Sequence, residues 1–357
     1  MGSTLLLLPG DGIGPEVTAV SRRVAEYLAG NGGVDLTIIE AEFGGAAIDA
    51  VGTALPDETL EIALAADAVL MGAIGGLKWA RESLDKRPEA GLLRLRKAMG
   101  VYANLRPAYC FPVLANSSSL KIEYVSGLDI LFVRELIGGI YFGRPRGIED
   151  IGGGERRGVN TQVYTSSEIR RVARMAFTLA AQRSGKVCSV DKSNVMESGL
   201  LWRQEVTAIQ QAEFRDVELI HMLADNCAMQ LVKEPKQFDV ILTDNLFGDI
   251  LSDEAAMLTG SIGMLPSAAL GEPGTPGLYE PIHGAAPEIA GQCVANPCAS
   301  VLSLAMALRY SLNRPDLAYR IENAIAVILE SGVRTRDLGG RASTQAVGDA
   351  LLQALDR

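Results

Sequence analysis

The sequence predicts an α/β protein with two domains, on the basis of its length, its apolar content and its alternating segments. A chain of 357 residues exceeds what a single core usually holds. Apolar residues make up 48% of the chain, which is ample for two cores. Short apolar runs of strand length alternate with longer segments of helical periodicity, as in sheets flanked by helices.

Charge and cysteine content exclude several classes of protein. The 43 acidic residues outnumber the 33 basic ones and give a net charge of −10, which argues against nucleic acid or an anionic membrane as partner. The five cysteines form no CxxC pair, so reduced core thiols are expected rather than disulfides or a zinc ribbon. We find no signal peptide and no apolar run of membrane-spanning length, so a cytoplasmic protein is expected.

The opening segment TLLLLPGDGIGPEV reads as a buried strand, a glycine-rich turn and a helix, because apolar residues recur at helical spacing from Val17 onward. Gly10 and Gly12 suggest a dinucleotide fingerprint, but Pro15 stands where its third glycine belongs. The fingerprint is therefore absent. The turn either brings backbone N–H groups to a ligand or only joins the strand to the helix.

The remaining elements follow from periodicity and from helix-start signals. Thr165 and Glu168 form a capping box that starts a helix ending near Arg183. Further strands are predicted at 36–40, 68–71, 128–136, 186–195 and 238–243. Further helices are predicted at 57–66, 90–99, 196–211, 218–232, 298–312, 315–331 and 343–355, with a Pro/Gly-rich loop at 271–284.

Residues 138–163 carry seven glycines interleaved with charged side chains. Such a stretch cannot bury a core of its own. It is either a mobile surface loop or an arm that pairs with a partner subunit.

The segment TDNLFGDILSDE (243–254) follows the predicted strand 238–243. Asp244 and Asn245 suit a loop and helix cap, and Asp249 and Asp253 leave one face of the helix that follows. No oppositely charged residue lies nearby in sequence. The pair is either a solvated acidic helix start or a site for Mg²⁺ or Mn²⁺ at the carboxyl edge of a sheet.

Three arginines and two acid–base candidates accompany this segment. Arg96 lies on a helix, Arg106 precedes a proline, and Arg134 ends an apolar strand. Singly each suits a structural salt bridge, and together they could bind a di- or tricarboxylic acid. Lys192 and Tyr141 are the acid–base candidates. Instead of acting in catalysis, Lys192 could form a surface ion pair with Asp191, and Tyr141 could be a packed aromatic ring.

The chain has two histidines. We interpret His221 as structural and His283 as a residue that contacts a ligand.

Several motifs occur in one order along nearly the whole chain: GDGIGPE, EAGLLRLRK, ANLRP, VRELIGGIYFG, VDKSNVME, TDNLFGDILSDEA and EPIHGAAPEIAG. Together they resemble the isocitrate/isopropylmalate dehydrogenase family of β-decarboxylating dehydrogenases. The resemblance implies a two-domain α/β fold that is not a Rossmann fold. It places one domain at 1–101 plus 260–357 and the other at 102–259. It also implies a homodimer in which the arm at 138–163 crosses to the partner.

The resemblance also implies roles for the candidate residues. Arg96, Arg106 and Arg134 would hold the substrate carboxylates. Asp249 and Asp253 would bind Mg²⁺ or Mn²⁺ together with Asp225 of the other subunit, next to the substrate. Lys192, also from the partner, would be the general base, and Tyr141 would protonate the enol carbon after CO₂ leaves.

Substrate and cofactor preferences follow from the same resemblance. Leu92, Leu93 and Val195 would receive an isopropyl group, because a third carboxylate would be costly to bury there. Glu89 would lie towards the nicotinamide ribose, and Glu288 would accept from a ribose 2′-OH, which favours NAD⁺ over NADP⁺. The implied cofactor contacts are Ile13, His283, Gly284, Ala285, Ala286, Pro287, Glu288, Ile289 and Asn296.

The expected activity is therefore oxidative decarboxylation of (2R,3S)-3-isopropylmalate to 4-methyl-2-oxopentanoate in leucine biosynthesis. The alternatives are the same chemistry on D-malate, tartrate or homoisocitrate, and a non-catalytic dicarboxylate-binding protein on the same fold.

Overall fold

The computed structural model describes residues 2–31 and 33–356. Its strands β1–β12 are Ser3–Gly10, Leu36–Glu40, Ala68–Ala73, Ala103–Tyr109, Asp129–Glu135, Gly147–Gly152, Glu155–Val159, Lys186–Asp191, Glu218–Leu223, Val240–Thr243, Pro266–Leu270 and Gly277–Pro281. Its helices α1–α12 are Gly14–Asn31, Gly44–Val51, Asp57–Ala65, Pro88–Met99, Ile122–Val125, Ser166–Ala181, Glu197–Glu213, Ala224–Lys233, Asn245–Ala256, Cys298–Tyr310, Pro315–Glu330 and Thr344–Leu355.

The chain divides into two units, each with its own core. The terminal unit comprises Met1–Val101, Tyr109–Gly127 and Ala256–Arg357, and the central unit comprises Tyr102–Ala108 and Leu128–Ala255. This division differs from the predicted one in residues 109–127 and 256–259. The first of these segments packs in the terminal unit, where Arg334 donates to the carbonyl of Val113 at 3.5 Å.

In the terminal unit the strand order is β2, β1, β3, β12, β11. β1 pairs in parallel with β2 and β3, β12 pairs in parallel with β3, and β11 is antiparallel to β12. The run Leu5–Leu8 on β1 is fully buried, as expected for the inner strand of a parallel sheet with both faces covered. α10 is buried along most of its length and contacts β12, β11 and β3, so it is a core helix.

In the central unit the strand order is β4, β5, β10, β8, β9. β10 pairs in parallel with both β5 and β8, with Thr243 opposite Arg134 on one side and opposite Val190 on the other. The carboxyl ends of these three strands therefore lie at one edge of the sheet. The loops that leave that edge carry the polar residues of the candidate site.

The glycine-rich stretch 138–163 contains the antiparallel pair β6 and β7, whose residues are almost all exposed. Ile148 and Ile151 are 73% and 53% exposed. The stretch thus forms a two-stranded ribbon that contributes little to the core of its own unit. Its pairing with a partner subunit stays a prediction.

The other predicted helices, including the one begun by the capping box, are confirmed with ends that differ by no more than two residues. The prediction of one helix at 218–232 was wrong, because residues 218–223 form β9 along the edge of β8 and only α8 is helical. His221 therefore lies on an edge strand. The loop at 271–284 likewise contains a strand, β12, which pairs with β11 and β3. In both places pairing with distant strands overrides the local pattern.

Among the described residues, none of the helices combines the length and apolar character that a membrane crossing requires.

The capping box at the start of α6 gives a test of local stability. Glu168 N donates to Thr165 Oγ1 at 3.4 Å, and Thr165 N donates to the Glu168 carboxylate at 2.8 Å. Thr165→Ala should lower the free energy of unfolding by about 1 kcal/mol, because an N–H at the helix start loses its acceptor. Urea denaturation measures the change. Thr165→Ser keeps the hydroxyl and should be close to wild type; equal losses in both variants would contradict the capping role.

Candidate active site

α9 carries the two candidate metal-binding carboxylates and is positioned by the end of β10. Asp244 follows β10 and caps the helix, since its Oδ1 accepts from Phe247 N at 2.8 Å. The cap predicted from sequence is therefore confirmed. Asp249 and Asp253 lie one turn apart on this helix, so their carboxylates leave the same face.

Two arginines neutralise this acidic face. Arg134, at the end of β5 and only 3% exposed, donates to Asp249 Oδ1 at 2.5 Å. Arg106, on β4, donates to Asp253 Oδ1 at 3.0 Å, and its Nη2 lies 3.3 Å from Asp249. The carboxylates have no partner nearby in sequence, as expected, and the arginines that pair with them come from strands more than a hundred positions away.

Tyr141 completes the same cluster. It ends the short turn Gly139–Tyr141, and its hydroxyl donates to Asp249 Oδ2 at 3.1 Å. Burial, followed by the negative charge of Asp249, raises the pKa of Tyr141. The phenol is therefore protonated near neutral pH. The structure thus brings Arg106, Arg134, Tyr141, Asp249 and Asp253 together within the central unit.

Lys192 and Asp225 form a second group in the central unit. Lys192 follows β8, Asp225 lies in the first turn of α8, and Lys192 Nζ is 2.7 Å from Asp225 Oδ1. The alternative pairing of Lys192 with Asp191 is wrong, since the Asp191 carboxylate accepts from Arg203 at 2.9 and 3.1 Å. Val195, three residues beyond Lys192, is 68% exposed.

The acidic residues have the ligand type that a hard divalent cation prefers, but there are too few of them to complete its coordination. Asp249 and Asp253 offer carboxylate oxygens, which Mg²⁺ and Mn²⁺ prefer. Among residues 2–31 and 33–356, however, no group of three or more His, Cys, Asp or Glu side chains could hold a metal ion. Asp225 does not join the other two aspartates within the described part of one chain. The donor set therefore fits the ion only if further ligands are added to it.

In the terminal unit, Arg96 lies in the last turn of α4 and donates to Glu280 at 2.5 Å. On the same helix Leu95 and Met99 fill the core, whereas Leu92 and Leu93 are half-buried and can contact a ligand. Glu89, in the first turn of α4, is exposed and lies beside Gly75.

Several of the implied cofactor contacts form one packed cluster of the terminal unit. Ile13 N donates to the Ala285 carbonyl at 2.8 Å, and Ala286 and Ile289 pack against Ile13. A Cβ at Gly12 would lie 2.0 Å from that carbonyl oxygen, so glycine is required for this close approach. Of the others, Gly284, Pro287 and Glu288 are exposed, while Asn296 is buried and donates to Asp337 at 3.0 Å.

His283 has a buried side-chain atom without a partner, which suggests a bound ligand. Its Nδ1 lies 3.0 Å from the Gly284 carbonyl, while its buried Nε2 has no partner among the described residues. Burial lowers the pKa of His283, so the ring is neutral near pH 7. A buried polar atom without a partner is costly unless a ligand or water satisfies it. This fits a site that is completed by a bound cofactor.

Sequence reasoning gave no binding or catalytic role to Asn245, which holds Arg134, or to Glu135, which holds the loop after β5. Asn245 Oδ1 accepts from both Arg134 Nε at 3.1 Å and Arg134 Nη2 at 2.7 Å. Glu135, fully buried, accepts from Ile137 N and Gly138 N at 3.1 and 2.8 Å. In the sequence, each is only a polar residue close to the end of an apolar strand. Many residues without a functional role occur in the same pattern, so the pattern does not identify a site residue.

The comparisons with known proteins agree with this arrangement. The model of the isocitrate/isopropylmalate dehydrogenase family matches residues 4–351, and the chain belongs to that family. A 3-isopropylmalate dehydrogenase of Caulobacter vibrioides is 65% identical over 99% of this chain and 100% of its own length. One of Cereibacter sphaeroides is 58% identical, over 99% of this chain and 98% of its own length. The crystal structure of isocitrate dehydrogenase from Methylococcus capsulatus matches with a TM-score of 0.87 at 32% identity, over 99% of this chain and 100% of that chain.

These matches confirm the predicted fold class, the two-domain α/β fold of this family rather than a Rossmann fold. They leave the individual site residues untested, so their roles are taken up as proposals below.

The buried carboxyl of Glu135 gives a test of pH dependence. Burial raises its pKa from 4.5 to about 7. Between those values the folded chain binds the proton more tightly than the unfolded chain, so this group makes the protein less stable as pH rises. The stability of wild type relative to Glu135→Gln should fall from about pH 5 to about pH 8, by on the order of 2 kcal/mol. Urea denaturation across that range measures it; curves that stay parallel would contradict the buried, protonated carboxyl.

Proposed function

We propose that the protein catalyses oxidative decarboxylation of (2R,3S)-3-isopropylmalate to 4-methyl-2-oxopentanoate and CO₂, with reduction of NAD⁺, in leucine biosynthesis. The observation that carries the proposal is the cluster of Arg106, Arg134 and Tyr141 around Asp249 and Asp253. The chain is 65% identical to a protein named 3-isopropylmalate dehydrogenase. We further propose that it acts in the cytoplasm as a homodimer.

Substrate binding is assigned to the three arginines. Arg106 and Arg134 are buried and paired with carboxylates, and Arg96 is paired with Glu280. A guanidinium group can donate two parallel hydrogen bonds to one carboxylate. The carboxylates of a malate-type substrate can therefore accept hydrogen bonds from these arginines.

Metal binding is assigned to Asp249 and Asp253, with Asp225 supplied by the second subunit. Two carboxylates on one helix face fit Mg²⁺ or Mn²⁺, and the missing oxygen ligands require another source. Bound metal would supply Lewis acidity towards the C2 oxygen of the substrate. Asp225 and Lys192 are within 2.7 Å of each other, so one subunit would deliver both groups together.

The acid–base steps are assigned to Lys192 and Tyr141. Lys192 would accept the C2 hydroxyl proton as the C2 hydrogen leaves as hydride, for which bound NAD⁺ is the acceptor. The bond from C3 to the carboxylate then breaks, CO₂ leaves, and the electron pair remains as an enolate. Tyr141, whose phenol is protonated near neutral pH, would donate its proton to C3.

Substrate choice is assigned to Leu92, Leu93 and Val195. Each has side-chain surface outside the core, and an isopropyl group can cover such apolar surface. D-malate and tartrate have no group that would cover this apolar surface. The third carboxylate of isocitrate or homoisocitrate would lose its hydration against the same surface, which is unfavourable.

Cofactor binding is assigned to the cluster around Ile13 and His283, with Glu89 beside the nicotinamide ribose. The other contacts are Gly284, Ala285, Ala286, Pro287, Glu288, Ile289 and Asn296. The exposed carboxylate of Glu288 can accept from a ribose 2′-OH and would repel a 2′-phosphate, so NAD⁺ is favoured over NADP⁺.

The substrate assignment is tested by NADH formation with 3-isopropylmalate, isocitrate, homoisocitrate, D-malate and tartrate, each with and without EDTA. We expect the highest kcat/KM with 3-isopropylmalate and loss of the rate with EDTA, restored by added Mg²⁺ or Mn²⁺. Equal or faster turnover of D-malate would overturn the substrate assignment. Absence of NADH with every acid and metal would favour a non-catalytic dicarboxylate-binding protein.

The base assignment is tested by Lys192→Met. Removal of the general base should lower kcat by roughly 10²-fold or more, while calorimetric binding of 3-isopropylmalate with Mg²⁺ is kept. Lys186→Met, at the other end of β8, is the matched control and should keep turnover. An unchanged rate in Lys192→Met would show that another group takes the proton.

A further inference from the structure

Asn245 uses every hydrogen-bonding position of its side chain. It is 1% exposed, and its Oδ1 accepts twice from the Arg134 guanidinium, at 3.1 Å from Nε and at 2.7 Å from Nη2. These two hydrogen bonds fix the plane of the guanidinium group, and Nη1 of Arg134 then donates to Asp249. An amide oxygen has two lone pairs, so both are used on one arginine.

The amide nitrogen of the same side chain holds a different element. Asn245 Nδ2 donates to the carbonyls of Leu136 and Gly138, at 2.9 and 3.1 Å. These two residues lie in the loop that leaves β5 and leads into the turn Gly139–Tyr141. The side chain that orients Arg134 therefore also fastens the loop that carries Tyr141.

Tyr164 lies against this loop and also contacts Asn245. Its hydroxyl accepts from Asn245 N at 2.9 Å. A Cβ added at Gly138 would lie 2.7 Å from a carbon of the Tyr164 ring, and one at Gly139 would lie 2.5 Å from the hydroxyl. Gly139 also has φ +72°, a conformation that favours glycine. The loop is thus hydrogen-bonded to Asn245 and packed against Tyr164.

A purely local role does not explain asparagine at this position. Asn245 is the first residue of α9, but the cap of that helix is supplied by Asp244, whose Oδ1 accepts from Phe247 N. Ordinary helix-forming residues are tolerated in the first turn. The four side-chain hydrogen bonds, all to β5 or to the loop that follows it, are what require an amide here.

We infer that Asn245 is a positioning residue that couples the substrate-binding Arg134 to the proton donor Tyr141, so that both adopt their reactive placement together. The inference rests on the proposed function of those two residues. Loss of the Asn245 amide releases the guanidinium plane and the loop at once. It should therefore weaken substrate binding through Arg134 and slow turnover through Tyr141.

A double-mutant cycle tests the coupling, because effects that act through one group vanish once that group is removed. Asn245→Ala alone should lower kcat by roughly 10- to 100-fold and weaken calorimetric binding of 3-isopropylmalate with Mg²⁺. In the Tyr141→Phe background, Asn245→Ala should change kcat by less than about twofold. In the Arg134→Lys background, which keeps the charge but not the fork of donors, it should change the affinity by less than about twofold.

Asn323→Ala, at an exposed position of α11, is the matched control and should behave as wild type in every background. The inference would be overturned if Asn245→Ala lowered kcat by the same factor in the Tyr141→Phe background, and the affinity by the same factor in the Arg134→Lys background, as it does in wild type. Such independent effects would indicate a general loss of structure. If Asn245→Ala does not fold, Tyr164→Phe replaces it, because it removes only the hydroxyl that accepts from Asn245 N and lies against Gly139. Its effect on kcat should vanish with Tyr141→Phe, and persistence of that effect would also overturn the inference.

The outcome is separable from that of the proposed function. If the wild-type protein prefers another 2-hydroxy acid, the substrate assignment falls, and the same cycle run on that acid still decides the role of Asn245. If no acid is turned over, the affinity arm with Arg134→Lys decides it alone, with 3-isopropylmalate and Mg²⁺ as the ligands.

Discussion

The candidate site depends on the mutual neutralisation of two carboxylates on α9 and two arginines on β4 and β5. Alone, Asp249 and Asp253 would repel one another across one helical turn, at a cost of roughly 0.2–0.5 kcal/mol to the helix. Alone, the nearly buried guanidinium groups of Arg106 and Arg134 would lose far more by leaving water. Together they form an ion-pair cluster that keeps four charges close to one another.

The parallel sheet of the central unit concentrates this chemistry. β5, β10 and β8 run in the same direction and in register, so Arg134, Asp244 and Lys192 leave the sheet at one edge. Side chains at that edge are placed by backbone pairing on both sides, which holds them more firmly than a free loop would. The support continues into the helix and loop that follow, where Asn245 joins the two.

Burial sets the protonation states at this edge. Tyr141 is kept protonated next to Asp249, and Glu135 binds its proton up to about pH 7, because charged forms of both groups are poorly solvated there. A buried acid that is protonated near neutral pH lowers the stability of the fold as pH rises.

The sequence by itself determined the α/β class, most helices and the acidic helix face, because hydrophobic periodicity, capping boxes and i,i+4 spacing are local properties of the chain. The ordered set of motifs also determined the family. Only the tertiary structure decided that Glu218–Leu223 is a strand, that Asp225 rather than Asp191 pairs with Lys192, and that Arg106 neutralises Asp253 from 147 positions away. These outcomes are set by hydrogen bonds and charges between segments that are distant in sequence, and no local pattern records which distant segment will be the partner.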